Sequence, residues 1–268
     1  INYFCRHDEP LHAAHFTAPT AEESAIAKYC ASVIEDGACL QMGIGSIPNA
    51  VLSELKGHKN MGVHTEMFAD GIIPLVESGV INGANKVLDK GKIVTTFLMG
   101  SQALYDFVDY NPAVLIKDVA YTNDPMIICQ NPKVTSLNSA IQIDITGQCC
   151  ADSIGTKIFS GVGGQVDFVY GASRSEGGVS IIALQSETKD GISKIAPTLH
   201  LGSGVQTTRN HVQYVATEYG IVKLAGRSMQ ERAVLLTSIA HPRHREELER
   251  AAFERYGAHF NYIKNVTK

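Results

Sequence analysis

Glu66 closes a short apolar run, Met61-Gly62-Val63-His64-Thr65, and a bare-backbone stretch, Gly161-Val162-Gly163-Gly164, follows a second run, Ile158-Phe159-Ser160. A carboxylate at the edge of a strand can serve as a nucleophile or a base. A glycine-rich turn presents backbone N–H donors with no side chains in front of them. Acyl chemistry needs that pairing: an attacking group, and preorganised donors for the oxyanion it creates. The bland alternatives are a surface or capping role for Glu66 and a simple tight turn at 161–164, since turns are glycine's usual place.

A third candidate is Gly43-Ile44-Gly45-Ser46-Ile47-Pro48, which follows an apolar run and opens a helical pattern. Its glycines let a ligand approach the backbone, and the helix start offers free N–H groups to an anion. A dinucleotide fingerprint would need a third glycine where Pro48 stands, and Glu66 lies inside a patterned segment rather than at a bare strand tip. Nicotinamide binding is therefore set aside.

Other chemistry-bearing residues fit structural roles better. Glu218 in Thr217-Glu218-Tyr219-Gly220 reads as an acid at a strand end rather than a second catalytic carboxylate. His241 and His244 follow a helix break and suit a solvated helix start, and His7, His12 and His15 suit a solvated linker more than a metal site. Ser160 and Ser203 lack the G-x-S-x-G elbow of a serine nucleophile. The cysteines Cys5, Cys30, Cys39, Cys129, Cys149 and Cys150 show no CxxC spacing. Adjacent Cys149 and Cys150 would point to opposite faces of a strand, so a bridge between them is strained. Dispersed thiols suit a reducing cytoplasm.

The elements that must position these groups alternate along the chain. Residues 1–19, with Pro10 and Pro19, read as a linker, and 20–268 as one domain. Thr20-Ala21-Glu22-Glu23 is a capping box that starts a helix reaching to about Glu35. Ala38–Met42 reads as a buried strand, the segment after Pro48 as a helix ending at Gly57, Met61–Thr65 as a strand and Gly71–Val76 as a helix. Lys92–Leu98 reads as a strand, Ser101–Val108 as a helix, and Leu137–Ile145 as one alternating strand. Val179–Leu184 and Tyr214–Thr217 read as strands, Ser228–Ile239 as a helix, and His241-Pro242 as the restart of a helix through Ala252. Strands separated by helices predict an α/β fold with an open, mostly parallel sheet flanked by helices.

Composition narrows the function. The chain has 268 residues, 44% of them hydrophobic and 19% charged, which is ordinary for a globular protein with a sizeable core. A net charge of −4 gives no basic footprint, so no nucleic-acid or anionic-membrane partner is expected. No apolar run approaches the roughly 20 residues of a membrane helix. The first residue is Ile1 rather than Met, which suggests that the chain begins inside a longer polypeptide.

Four strings taken together, LQMGIGSIPNAVLSEL, HTEMFADGIIPLVESGVI, IFSGVGGQVDFVYGA and ATEYGIVKLAGRSMQERAVLLTSIAHP, resemble the class I coenzyme A transferases. The resemblance is closest to the acetyl-CoA hydrolase/transferase group, and within it to the 4-hydroxybutyrate and butyrate:acetate CoA-transferases. It runs from about Thr20 to about Phe260. It implies a longer polypeptide with two similar α/β halves, of which this chain is the C-terminal half. It implies coenzyme A as substrate, no metal, an acyl-CoA and a short-chain carboxylate such as acetate, butyrate or 4-hydroxybutyrate as reactants, and a homo-oligomer in the cytoplasm.

Residue by residue, the resemblance makes Glu66 the nucleophile that ends as a glutamyl-CoA thioester. It makes Gly43, Ile44, Gly45, Ser46 and Ile47 a CoA-contacting turn in which the Ile44 N–H is an oxyanion donor. Gly163 and Gly164 become a second glycine loop facing the thioester, and Lys189 a basic contact for CoA. Gln142 stands where an acid is expected. An acetyl-CoA hydrolase on the same scaffold and a non-catalytic CoA- or nucleotide-binding module are the alternative functions.

Overall fold

The computed structural model describes residues 2–14, 17–43 and 45–267. Its centre is an eight-stranded sheet. In chain order the strands are β1 (Cys39–Met42), β2 (Gly62–His64), β3 (Ile93–Thr95), β4 (Val114–Ile116), β5 (Val134–Ser139), β6 (Val179–Ala183), β7 (Tyr214–Thr217) and β8 (Gly220–Lys223). Their spatial order is β8-β7-β6-β5-β1-β2-β3-β4, with every neighbouring pair parallel except the β7–β8 hairpin at one edge. The chain winds outward from β1 to β4, then returns to lay β5 on the other side of β1 and winds the opposite way. The β1–β5 boundary is thus a topological switch point, where the connections leave a crevice beyond the carboxyl ends of the strands.

Helices cover both faces because β1 is buried on both. Leu40 and Met42 of β1, Val63 of β2, Ile26 and Cys30 of α1 (Ala21–Ala31) and Val51 of α2 (Ser46–Glu54) belong to one apolar cluster, in which α1 lies against α2 and against β6, β7 and β8. Cys39 faces the other way, onto Phe168 and Ala172 of α3 (Gln165–Arg174). A second cluster joins Ile182 and Val215 to Leu236 of α4 (Met229–Ser238), Leu248 of α5 (Arg245–Tyr256) and Phe260 of α6 (Ala258–Val266). At roughly 1.5–3 kcal/mol for each fully buried large aliphatic or aromatic side chain, these three clusters dominate the favourable side of folding.

The local starts follow from sequence. Thr20 and Glu23 form the expected capping box: the Glu23 N–H donates to Thr20 Oγ1 at 3.3 Å, and the Thr20 N–H to Glu23 Oε2 at 2.9 Å. Pro48 lies in the first turn of α2, where its missing N–H would have had no intrahelical partner.

Four expectations change. The first helix ends at Ala31 rather than about Glu35, its last turn closing through the Ser32 N–H to Lys28 O. The run Leu137–Ile145 is two strands: β5 ends at Ser139, and Gln142–Asp144 joins Cys149–Cys150 and Ile195–Ala196 in a separate small sheet. Lys92–Leu98 also divides, into β3 and Phe97–Leu98, which pairs with Met67–Phe68. The last helix divides as well: a short 3₁₀ turn, Pro242–His244, precedes α5, and α6 follows Gly257. Among the described residues of 1–19 there is no helix or strand, but the Tyr105 hydroxyl donates to His12 O and the Ala14 N–H to Gly100 O.

Candidate active site

A cleft of about 350 Å³ opens at the switch point. Met42 at the end of β1 and Gly43 just beyond it, Asn138 and Ser139 at the end of β5, Glu66 beyond β2, and Gly161–Gly164 before α3 line it. The fold thus brings Glu66, Gly43, Gly163 and Gly164 together from three separate segments of sequence.

Glu66 occupies the step between two strands, and its backbone is held unusually firmly. Its carbonyl accepts from the Thr96 N–H at 2.9 Å, the Phe97 N–H at 3.1 Å and Thr95 Oγ1 at 3.0 Å. On either side, the Thr65 N–H donates to Val94 O at 3.0 Å and Thr65 Oγ1 to Met67 O at 2.8 Å. The half-buried side chain reaches the cleft, where Glu66 Oε2 accepts from Asn123 Nδ2 at 2.9 Å. Asn123 is itself oriented, because Thr122 Oγ1 donates to Asn123 Oδ1 at 3.0 Å and so turns the amide nitrogen toward Glu66. Thr122 Oγ1 is in turn hydrogen-bonded to Thr96 Oγ1, next to Glu66 in the structure. One carboxylate oxygen is therefore committed to the protein, and the other is left for the cleft.

The glycine loop packs directly on this carboxylate. A Cβ placed on Gly164 would lie 2.2 Å from Glu66 Oε2 and 2.4 Å from Asn123 Nδ2, so this position has no room for a side chain. Gly163 is different: its φ of +58° favours glycine, but a Cβ there would meet nothing within 4 Å. Gly164 caps the N-terminus of α3 without any side-chain cap, and Phe168 N makes the first intrahelical bond, to Gly164 O at 3.2 Å. Among the described residues neither Gly163 nor Gly164 donates its N–H within the protein. These N–H groups and the positive end of the helix lie beside Glu66. On the first turn of α3, Asp167 has its carboxyl raised above the usual range by burial and then by the charge of Glu66.

Beneath the cleft lies a closed polar network. Ser136 Oγ donates to Gln41 Oε1 at 2.7 Å, Asn138 Nδ2 to the same oxygen at 3.0 Å, and Gln41 Nε2 to Asn138 Oδ1 at 3.2 Å. All three residues are buried, and mutual satisfaction rigidifies the floor at the ends of β1 and β5. Gln142 is not part of it: its Oε1 accepts the His200 N–H at 2.9 Å in the small sheet. The absent acid at 142 therefore leaves the cleft floor intact.

The remaining candidates separate. Ile44 lies outside the described residues. Gly45 is the N-cap of α2 with φ +129°, and Ser46 Oγ donates to Glu23 Oε1, tying this turn to the cap of α1. Ile47 is 9% exposed, belongs to the core and does not line the cleft. Lys189 lies outside the cleft, exposed in the turn closed by the Gly191 N–H to Thr188 O. Glu218 accepts from the Ser186 N–H at 2.9 Å and from Ser186 Oγ at 2.5 Å, a role at the ends of neighbouring strands. His241 and His244 gather with Arg243 around Glu187, and among the described residues no group of three His, Cys, Asp or Glu is arranged to hold a metal ion.

Sequence reasoning missed Asn123, Gln41 and Asn138. The turn signal Asn123-Asp124-Pro125 marked a loop there without indicating that the loop returns to Glu66.

The profile of the acetyl-CoA hydrolase/transferase C-terminal domain matches residues 100–252. Over 226 residues the chain is 56% identical to a succinyl-CoA:acetate/propanoyl-CoA:succinate CoA transferase of Fasciola hepatica, covering 84% of this chain and 47% of that protein. It is 53% identical over 227 residues to the 4-hydroxybutyrate coenzyme A transferase of Clostridium kluyveri, covering 84% of this chain and 53% of the relative. Among solved structures, RipA from Yersinia pestis superposes with a TM-score of 0.88 at 40% identity, over 92% of this chain and 56% of that one. A 4-hydroxybutyrate CoA-transferase from Porphyromonas gingivalis gives a TM-score of 0.82 at 43% identity, over 93% and 59%. The chain thus spans about half the length of the curated relatives it matches.

Proposed function

Since the chain belongs to the acetyl-CoA hydrolase/transferase family, we propose that it carries the nucleophile of a CoA-transferase that moves CoA between an acyl-CoA and a short-chain carboxylate. The observation that carries this reading is Glu66. It is a single carboxylate fixed through its backbone carbonyl and through Asn123, and it abuts a glycine loop whose N–H groups are unused.

The chemistry follows from that arrangement. The Glu66 carboxylate adds to the thioester carbonyl, the oxyanion takes donors from Gly163 and Gly164, and the Ile44 N–H is a further candidate. The CoA thiolate leaves, giving a mixed anhydride of Glu66 and the acyl group. The thiolate then attacks the Glu66 carbonyl of the anhydride, releasing the donor carboxylate and leaving a glutamyl-CoA thioester. An acceptor carboxylate reverses the sequence. Preorganised donors count heavily here, since removing one in comparable acyl chemistry costs on the order of 10²–10³ in rate. The turn Gly43–Ile47 and Lys189 are assigned to the body of CoA, whose binding offsets distortion at the reacting carbonyl.

The names of the relatives support succinate, acetate, propanoate or 4-hydroxybutyrate as carboxylates of the right class. We assign completion of the acyl pocket to a further half of the polypeptide and expect a homo-oligomer. No helix of the described residues is long and apolar enough to cross a membrane, and the free thiols support a cytoplasmic setting.

The test is acyl exchange by the full-length protein and its Glu66→Ala and Glu66→Asp variants. Alanine abolishes exchange. Aspartate, one methylene shorter, withdraws the carboxylate by about 1.5 Å and leaves a small residue, because misplacement of about 1 Å can cost 10²-fold. Exchange at the wild-type rate from the alanine variant refutes the mechanism. Hydrolysis of acyl-CoA without exchange shifts the assignment to the hydrolase reading.

A further inference from the structure

A second cavity, of about 240 Å³, lies among α4, α5 and α6, built from elements that contribute nothing to the Glu66 cleft. Its walls are Val234, Leu235 and Phe260. It is larger than the 150 Å³ apolar cavity that accommodates benzene. Thr237 also lines it, is 3% exposed, and has an Oγ1 without any hydrogen-bond partner. A helical threonine commonly returns its hydroxyl to a carbonyl of the preceding turn, and an unpaired buried hydroxyl is a cost that the fold usually avoids.

The mouth is charged and unbalanced. Lys264 and Glu249 neutralise one another, with Nζ and Oε2 2.6 Å apart. Arg245 donates Nε to Ala240 O at 3.0 Å and lies over the Tyr219 ring at 5.6 Å. Among the described residues it has no carboxylate within ion-pair distance, so its remaining guanidinium donors lack an anionic partner. Among the described residues, the cavity therefore combines an apolar body with one net positive charge at its mouth.

We propose that this cavity binds a small monocarboxylate with an apolar body. The carboxylate pairs with the Arg245 guanidinium, whose planar fork matches it. The hydrocarbon part packs on Phe260, Val234 and Leu235. A dicarboxylate is disfavoured, since among the described residues that line the cavity only one cation is free, and a cationic ligand would face Arg245 without compensation. Because Phe260 and Lys264 belong to α6, a bound acid ties that helix to α4 and α5.

The test is a titration of the methyl-labelled protein with benzoate, followed by NMR, with benzyl alcohol as the uncharged comparison. Benzoate produces saturable shifts at the Val234 and Leu235 methyls. Arg245→Gln weakens them about tenfold, the factor a single charge-assisted hydrogen bond commonly supplies. Thr237→Val, which keeps the shape and removes a hydroxyl sealed off from the cavity, leaves them unchanged. On the unmodified protein benzyl alcohol binds about tenfold more weakly than benzoate, so the result does not depend on either variant folding. The Glu66→Ala variant keeps the Val234 and Leu235 shifts unchanged, which separates this site from the cleft. Absence of saturable shifts at these methyls, shifts confined to the Met67 and Val162 methyls of the cleft, or equal binding of the alcohol and the acid overturns the proposal.

Discussion

Replacing Gly164 by alanine tests the site through one methyl group. The backbone at Gly164, with φ −90° and ψ 6°, is open to any L-residue, so alanine adds no conformational strain. Its Cβ, however, would fall 2.2 Å from Glu66 Oε2 and 2.4 Å from Asn123 Nδ2. Ordinary van der Waals separation requires the carboxylate to retreat by about 1 Å, because the Glu66 backbone is pinned by three donors and its side chain is the part free to move. That displacement breaks the bond from Asn123 and moves the proposed nucleophile away from the glycine-loop N–H groups. Misplacement of this size costs about 10²-fold in rate, equivalent to about 2.7 kcal/mol of barrier.

Gly163→Ala is the matched control. Its φ of +58° makes a side chain strained by about 1 kcal/mol, but its Cβ points into open space. The two variants should therefore separate cleanly in assays of acyl exchange and urea unfolding on the full-length protein. Gly164→Ala lowers kcat about 10²-fold with little change in stability, and Gly163→Ala lowers stability by about 1 kcal/mol with a smaller loss of kcat. Wild-type kcat in Gly164→Ala, with its fold intact, would show that the Glu66 carboxylate does not act from the position it holds here.

Asn123→Ala removes the donor to Glu66 Oε2 and should lower kcat about tenfold while leaving the KM for acyl-CoA nearly unchanged; a rise in KM alone would assign Asn123 to binding rather than to orienting the nucleophile. His64 supplies a pH dependence. Burial pushes its imidazole down from the usual 6.5 to about 4, against the opposing effect of its hydrogen bond with Thr122 O. The unfolded chain therefore takes up this proton near pH 6.5 and the folded chain only near pH 4, so stability present above pH 6.5 is lost as the pH falls toward 4. At about 1.4 kcal/mol per unit the loss is about 3 kcal/mol, and urea unfolding of His64→Gln between pH 7 and 4 should lack it. Parallel pH curves for the two proteins would contradict the assignment.

The parts of the fold legible in sequence are those governed by neighbours along the chain. Thr20 and Glu23 announce a helix start because both partners of the capping box lie within one turn. The run Ala38–Met42, apolar except at Gln41, announces a strand buried on both faces because residues of both faces are apolar. The division of Leu137–Ile145 was hidden because alternation with period two continues across Ala140-Ile141, although the strand after them belongs to another sheet. The division at Thr96 was hidden for a related reason: what bends the chain there is the Glu66 carbonyl accepting the Thr96 and Phe97 N–H groups, a partner remote in sequence.

The same distinction holds in the site. Glu66 and the glycines stand out because a carboxylate at a strand end and a bare backbone are local patterns. Asn123, Gln41 and Asn138 do not, since each gains its meaning from a residue brought alongside by the sheet order. Gly164 stood out as a glycine, but the reason it must be one, the Glu66 carboxylate against its Cα, is visible only in three dimensions.

Covalent joining of Glu66 to CoA is the step on which the proposed mechanism turns. The most direct measurement is to incubate the full-length protein with acyl-CoA, reduce with borohydride, digest, and map the modified peptide by mass spectrometry. The glutamyl thioester is reduced to the alcohol, so a mass loss is expected in the peptide containing Thr65-Glu66-Met67, located at Glu66, dependent on acyl-CoA and absent from Glu66→Ala. A protein that turns over acyl-CoA while Glu66 is recovered unmodified, or that carries the modification at another residue, contradicts it.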